Sequence, residues 1–181
     1  MSVTAASGFL AYGLAAGLKS SGSKDLALVI NTGPDHAAAG VFTTNRVKAA
    51  PVVWSEQVLT DGRLRAVILN SGGANACTGP EGFADTHRTA ELVATALRQA
   101  QGTAGSAQGT ASVQGIAGSV QGIAGSAQAD IGPIDVAVCS TGLIGVRLPM
   151  DKVAAGINDL VPLLRPDGGQ AAAEAILTTD S

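Results

Sequence analysis

Apolar and polar positions change period along the chain, and the changes mark its elements. Asp25 to Asn31 (DLALVIN) is a nearly unbroken apolar run closed by the turn TGPD, as expected of a mostly buried strand. Ala37 to Asn45 (AAAGVFTTN) reads as a second strand, and AAPVVWSEQVL as an extended segment that turns helical. Arg65 to Asn70 (RAVILN) is a third strand, short and β-branched, with glycines on both sides. From Phe83 the period becomes helical: Phe83, Ala90, Val93 and Leu97 share a face, with Asp85, Arg88 and Arg98 largely away from it. Ile134 to Cys139 (IDVAVC) is a fourth strand. Pro149 then stands where a first helical turn begins, and Met150, Val153, Ile157, Leu160 and Leu164 continue at helical spacing. A last helix is predicted from about Gln170, leading into another extended segment.

Gly102 to Gln128 differs in kind. It consists of near-copies of one short unit, GTAGSAQ, GTASVQ, GIAGSVQ and GIAGSAQ. The period is too short for a solenoid of helix pairs. Its few, small apolar residues bury too little surface to offset ordering, so the expectation is a tandem-duplicated surface insertion at 102–128 within one domain spanning 1–181.

Composition narrows the function classes. With 181 residues, 46% hydrophobic and 14% charged, the chain is long and apolar enough for a real core. A net charge of −3 provides no basic stripe for nucleic acid. No run reaches the roughly 18 apolar residues that a membrane span needs. The apolar N-terminal stretch ASGFLAYGLAAGL lacks a preceding cation and is broken by Gly8, Gly13 and Gly17, which argues against a secretory leader. Cys77 and Cys139, a single distant pair, suit a reduced, cytoplasmic chain. His36 and His87 have no further ligand at metal spacing and read as surface or cap residues.

Three stretches carry candidate chemistry. In Ile68 to Gly79 (ILNSGGANACTG) a strand runs into glycines whose amides can form an anion-binding nest, or simply a turn; the spacing fits neither a Walker A loop nor a dinucleotide fingerprint. Cys77 within it lacks a positioned histidine to activate it. In Cys139 to Pro149 (CSTGLIGVRLP), Ser140, Thr141 and Gly142 end a strand and precede a helix, where open α/β sheets place ligands. Backbone amides beside a threonine hydroxyl there suit either an oxyanion hole or a structural turn. Ala175 to Asp180 (AILTTD) offers hydroxyls and a carboxylate for an amino-acid substrate, or a frayed end.

Taken in order, AAGVFTTNRVKAAPV, ILNSGGANACTG, CSTGLIGVRLPM and AILTTD resemble the N-terminal half of the ornithine acetyltransferase (bifunctional glutamate N-acetyltransferase) family of arginine biosynthesis. The likeness spans the chain except for the 102–128 repeats. It implies an α/β/β/α sandwich and transfer of an acetyl group from N-acetylornithine to glutamate, releasing ornithine; some members also take acetyl-CoA as donor, and no bound cofactor is implied. It further implies a precursor that cleaves itself before a threonine, which then carries the acetyl group, and a cytoplasmic heterotetramer of two α and two β chains. By the resemblance, Thr141 and Gly142 are the oxyanion-hole pair, and Thr178, with Thr179 beside it, contacts the amino-acid substrate.

One departure stands out. The family's nucleophile lies in a later Ala-Thr-Met-Leu stretch, after a Lys-Gly-Ala-Gly-Met segment, and this sequence stops at Ser181, before both. The expectation is therefore an α-chain-like, truncated portion that holds the oxyanion side of the site, is inactive alone, and exposes apolar sheet surface that favours self-association. The alternative is a non-catalytic remnant, or a scaffold half that pairs with a separate C-terminal portion. A third reading, an anion- or nucleotide-binding module on Ile68 to Gly79, depends on ligand binding at Gly72.

Overall fold

Among the described residues four short apolar strands pair into one sheet in the order β1-β2-β3-β4: β1 Phe9–Leu14, β2 Leu26–Asn31, β3 Ala66–Asn70 and β4 Val136–Ser140. The computed structural model describes residues 2–106 and 131–178, without the side chains of 103–106. Most of the expected repeat insertion and Thr179 therefore lie outside the described residues. β1, β2 and β3 are antiparallel neighbours, whereas β3 and β4 run parallel. The helices are α1 Ala50–Val58, α2 Gly79–Ser106, α3 Met150–Leu160 and α4 Gly169–Ala175.

The two faces of the sheet are built differently because side chains alternate along each strand. Leu10, Leu26, Leu28, Ile30, Ile68, Val136 and Val138 form one face and pack into the main core with Trp54, Val93, Leu97, Val153, Ile157 and Leu160 from α1, α2 and α3. The other face is nearly bare of bulk at β1 and β2: Ala11 and Ala27 meet Ala172 and Ala175 of α4, with Val29 and Leu69 at the margin. A Cβ at Gly13 would collide with the backbone of Ala171 and the side chain of Ala175. Small residues on both partners are what let α4 lie this close. The α/β class is as expected, and the described residues form a helix layer and one sheet, with α4 against part of the far face.

β4 is an edge strand, and α1 seals its outer side. Trp54 Nε1 donates to the Val136 carbonyl at 2.9 Å, and Ser55 Oγ donates to the Val138 carbonyl at 2.8 Å. The Val138 amide reaches the same Ser55 oxygen at 3.1 Å. Backbone groups that would otherwise template another strand are thus satisfied by side chains.

Several expectations need correction. Ala37 to Asn45 is not a strand: Ala37 makes an isolated bridge to Arg63 and Ala38 donates to the Gly62 carbonyl, but no ladder follows and Val41 is fully exposed. β-Branched residues alone do not make a strand without a partner edge. The apolar N-terminal stretch, in contrast, holds β1, whose glycine and alanine positions hid the alternation. The fourth strand starts at Val136, because Pro133–Asp135 forms a 3-10 turn that leaves Ile134 exposed. The long helix begins at Gly79, ahead of Phe83. Leu164 lies past the end of α3 and a following 3-10 turn, yet is fully buried.

Two predictions follow from this packing. Ser55→Ala leaves the Val138 amide and carbonyl unpaired, so denaturant unfolding should show a loss of about 1–3 kcal/mol. His36 has a buried ring nitrogen, Nδ1, with no hydrogen-bond partner among the described residues, and burial, then Arg65 and Arg63, lower its pKa from 6.5. A group whose pKa falls on folding holds its proton more tightly when unfolded, so its protonation favours unfolding. Its contribution is therefore complete above pH 6.5 and is lost as the pH falls through the window below it. Melting temperature should drop with acidification, and His36→Gln should flatten that drop.

Candidate active site

Parallel pairing fixes where the site is. Because β3 and β4 run the same way, with Asn70 opposite Ser140, their carboxyl ends open at one edge of the sheet and their following loops lie side by side. These are the ILNSGGANACTG and CSTGLIGVRLP stretches.

The two loops are laced together. Thr141 N–H donates to the Asn70 carbonyl at 3.0 Å, Ala74 N–H to the Leu143 carbonyl at 2.8 Å, and Gly145 N–H to the Ala76 carbonyl at 2.8 Å. Asn70 Nδ2 donates to Ser140 Oγ at 2.6 Å. Gly142 adopts φ of +129°, and a Cβ there would stand 2.9 Å from the Gly73 amide nitrogen. Both the backbone conformation and the close approach require glycine.

Neighbouring elements hold this pair of loops from three sides. Buried Asn75 adopts φ of +47° and ties the first loop to the start of α2, donating from Nδ2 to the Gly82 carbonyl at 2.8 Å and to Thr86 Oγ1 at 2.9 Å. Arg147 ties the second loop to the same helix, gripping Asp85 through Nε and Nη2 at 2.7 and 2.8 Å and reaching Glu81 at 2.9 Å. Hydrogen bonding to Asp85 raises the Arg147 pKa further above its already high value, so this clamp is a permanent cation. Asp25, fully buried, accepts the amides of Ala16, Leu18 and Lys19 at 2.7, 2.6 and 2.8 Å, which folds the β1–β2 loop so that Leu18 packs on Gly72. Ser71 donates its hydroxyl to the Ala175 carbonyl at 2.6 Å, and Lys19 Nζ donates to the Leu177 carbonyl.

The end of α4 and the segment leading to Thr178 are thereby brought to the same edge. Ser71, in the loop after β3, holds the Ala175 carbonyl three residues before Thr178, and Thr141 and Gly142 sit in the loop laced to that one, while Thr179 lies outside the described residues. Thr141 and Gly142 are exposed. Thr141 spends its amide on Asn70, while its hydroxyl and the Gly142 amide have no acceptor among the described residues. Two such donors on a braced turn can stabilise a developing oxyanion.

The remaining candidates fall away from this cluster's chemistry. Cys77 and Cys139 are free and exposed, and partial desolvation pushes the Cys139 thiol pKa up, away from thiolate. His87 lies against the Trp54 ring with centroids 4.9 Å apart. Among the described residues no group of His, Cys, Asp and Glu could hold a metal ion, and no helix is long and apolar enough to cross a membrane.

Sequence reading missed the supports. Asp85 was expected to lie away from the packed face, but it is buried because Arg147 reaches it from 62 residues away. Asp25 gave a signal in hindsight, a charge abutting an apolar run. A direct check of the geometry is Gly142→Ala. The strained φ and the contact with Gly73 should cost about 1–3 kcal/mol in unfolding experiments. Hydrogen exchange at the Ala74 and Gly145 amides should accelerate as the lacing loosens.

Comparison with known proteins accords with this arrangement. The chain matches the ArgJ family over residues 10–106 and 100–181. It is 59% identical over 181 residues to the arginine biosynthesis bifunctional protein ArgJ of Mycobacterium tuberculosis, covering 99% of this chain and 38% of that protein. It is 54% identical to the Streptomyces coelicolor protein of the same name, covering 100% of this chain and 39% of that protein. The chain therefore spans well under half the length of these curated relatives. Among solved structures, ornithine acetyltransferase from Mycobacterium tuberculosis, complexed with ornithine, superposes with a TM-score of 0.82 at 58% identity, over 99% of this chain and 80% of that one. The arginine biosynthesis bifunctional protein ArgJ of Bacillus halodurans gives 0.75 at 34% identity, over 100% of this chain and 78% of that one. With the match running through every loop that builds the site, the chain belongs to the ArgJ family.

Proposed function

We propose that this chain is the N-terminal part of a glutamate/ornithine acetyltransferase of arginine biosynthesis and supplies its oxyanion hole. The observation that carries this reading is the pair of donors at the end of β4, the Thr141 hydroxyl and the Gly142 amide, on a turn braced by β3. A threonine from the C-terminal part, which the relatives have and these 181 residues do not cover, is the nucleophile. Its hydroxyl oxygen bonds to the acetyl carbon of N-acetylornithine, and the carbonyl oxygen takes the negative charge against Thr141 and Gly142. Collapse breaks the C–N bond and ornithine leaves with a proton. The amine of glutamate then attacks the acetyl-threonine ester through a second oxyanion in the same hole, forming N-acetylglutamate and restoring the threonine hydroxyl.

Thr178 contacts the amino-acid substrate in this reading, supported by the Ser71 bond to the Ala175 carbonyl three residues before it, and Thr179 is assigned with it. Acetyl-CoA is an alternative donor to the same threonine. The assembly is a cytoplasmic heterotetramer of two α and two β chains. Its support here is the exposed apolar surface near the site, where Leu143, Ile144 and Val146 are 74%, 66% and 62% exposed and await a partner surface.

The test combines this chain with the C-terminal part of the Mycobacterium tuberculosis relative and follows acetyl transfer from N-acetylornithine to glutamate. Thr141→Ala should lower kcat about 10²–10³-fold with KM little changed. An unchanged kcat would sink the oxyanion assignment, and transfer by the chain alone would sink the assignment of the nucleophile.

A further inference from the structure

Thr141 and Gly142 do not hold their own positions; a residue on the neighbouring strand does. We propose that Asn70 is a positioning residue for acetyl transfer, acting through Ser140 and the Gly73 amide to set the geometry of the two oxyanion donors. This rests on the oxyanion reading of Thr141 and Gly142.

Asn70 ends β3 at 6% exposure, on the core side of the sheet, where Ala66 and Ile68 precede it on the same face. A buried amide is costly unless its hydrogen bonds are made. Here each part of the residue faces the site loops. Nδ2 donates to Ser140 Oγ at 2.6 Å, the residue before Thr141. The main-chain carbonyl takes the Thr141 amide at 3.0 Å. Oδ1 accepts the Gly73 amide at 3.4 Å, a weaker bond, and that nitrogen is the atom a Gly142 Cβ would strike at 2.9 Å. One residue therefore fixes the residue before the donors and the backbone packed directly against them.

The main-chain bond, which any residue at this position could make, adds a choice of donors. With its amide spent on Asn70, Thr141 can offer only its hydroxyl, and the turn passes the donor role to the Gly142 amide. A neutral amide also suits the place: it bonds both a hydroxyl and an N–H without setting a negative charge next to a developing oxyanion, as aspartate would. Asn70 touches no reacting atom in this scheme. It acts on the placement of those that do, and misplacement by about 1 Å can cost about 10²-fold in rate.

The experiment uses this chain combined with the C-terminal part of the Mycobacterium tuberculosis relative and compares Asn70→Ala, Ser140→Ala and the double variant, with Thr141→Ala as reference. Asn70→Ala should lower kcat about tenfold or more, with KM changed by less than about twofold, because the lost interaction matters only in the transition state. Ser140→Ala removes the same 2.6 Å bond from the more exposed side, so it should lower kcat in the same sense and keeps the test intact if Asn70→Ala fails to fold. The double variant should be no slower than the slower single. If Thr141→Ala slows turnover while Asn70→Ala and Ser140→Ala leave kcat unchanged or raise only KM, Asn70 is not a positioning residue and the proposed function stands. Losses that multiply in the double variant also overturn the coupling. If Thr141→Ala itself has no effect, the oxyanion reading fails, and the role of Asn70 with it.

Discussion

Among the described residues β3 and β4 are the one parallel pair, and the site depends on that pairing. Antiparallel strands would send the loops after Asn70 and Ser140 to opposite edges. Parallel strands send them to the same edge, where their amides and carbonyls continue the ladder past the last strand residues through Thr141, Ala74 and Gly145. A parallel pair needs a long crossover, here α2, and the crossover is also an anchor: Asn75 enters its first turns from one loop and Arg147 grips Asp85 from the other. The element that connects the strands therefore also fixes the turns that follow them.

Packing on the two faces serves the same end. The helix layer buries the large aliphatic residues of the sheet and holds β4 in place at the edge through Trp54 and Ser55. The opposite face is kept small at Ala11, Gly13 and Ala27, so α4 can lie close enough for its last carbonyl, at Ala175, to be captured by Ser71, and that of Leu177 beyond its end by Lys19. That capture is what brings the Thr178 segment toward the loops after β3. Asp25 has a comparable role from the third side. A carboxylate with three amides around it is well compensated for burial, and it fixes a loop whose Leu18 in turn requires glycine at position 72. The Thr141 turn is thus supported by paired polar groups, most of them buried.

Much of this was legible in the sequence, for reasons that are local. DLALVIN and RAVILN announced strands because their apolar runs are short, branched and bounded by turn residues. The helix around Val93 announced itself by period. The four motifs in order pointed to one family, and it was that resemblance that gave Thr141 and Gly142 an oxyanion role, since a hydroxyl and a glycine at a strand end suit a structural turn as well. Where local patterning misled, the cause was pairing. Ala37 to Asn45 has strand-like residues but no edge to join, and β1 has an edge to join but a glycine- and alanine-rich pattern shaped by α4.

The sequence by itself determined which short segments are apolar, where the chain must turn, and which residues are chemically able to donate to an oxyanion. Only the tertiary structure decided which of those donors are left over. The Thr141 amide is consumed by Asn70 across 71 positions of sequence, and Asp85 turns inward because Arg147 arrives from a loop that follows a different strand. A bond between residues this far apart in the chain has no signature in either partner's sequence neighbourhood. It depends on two strands meeting in register, and that register is a property of the folded sheet.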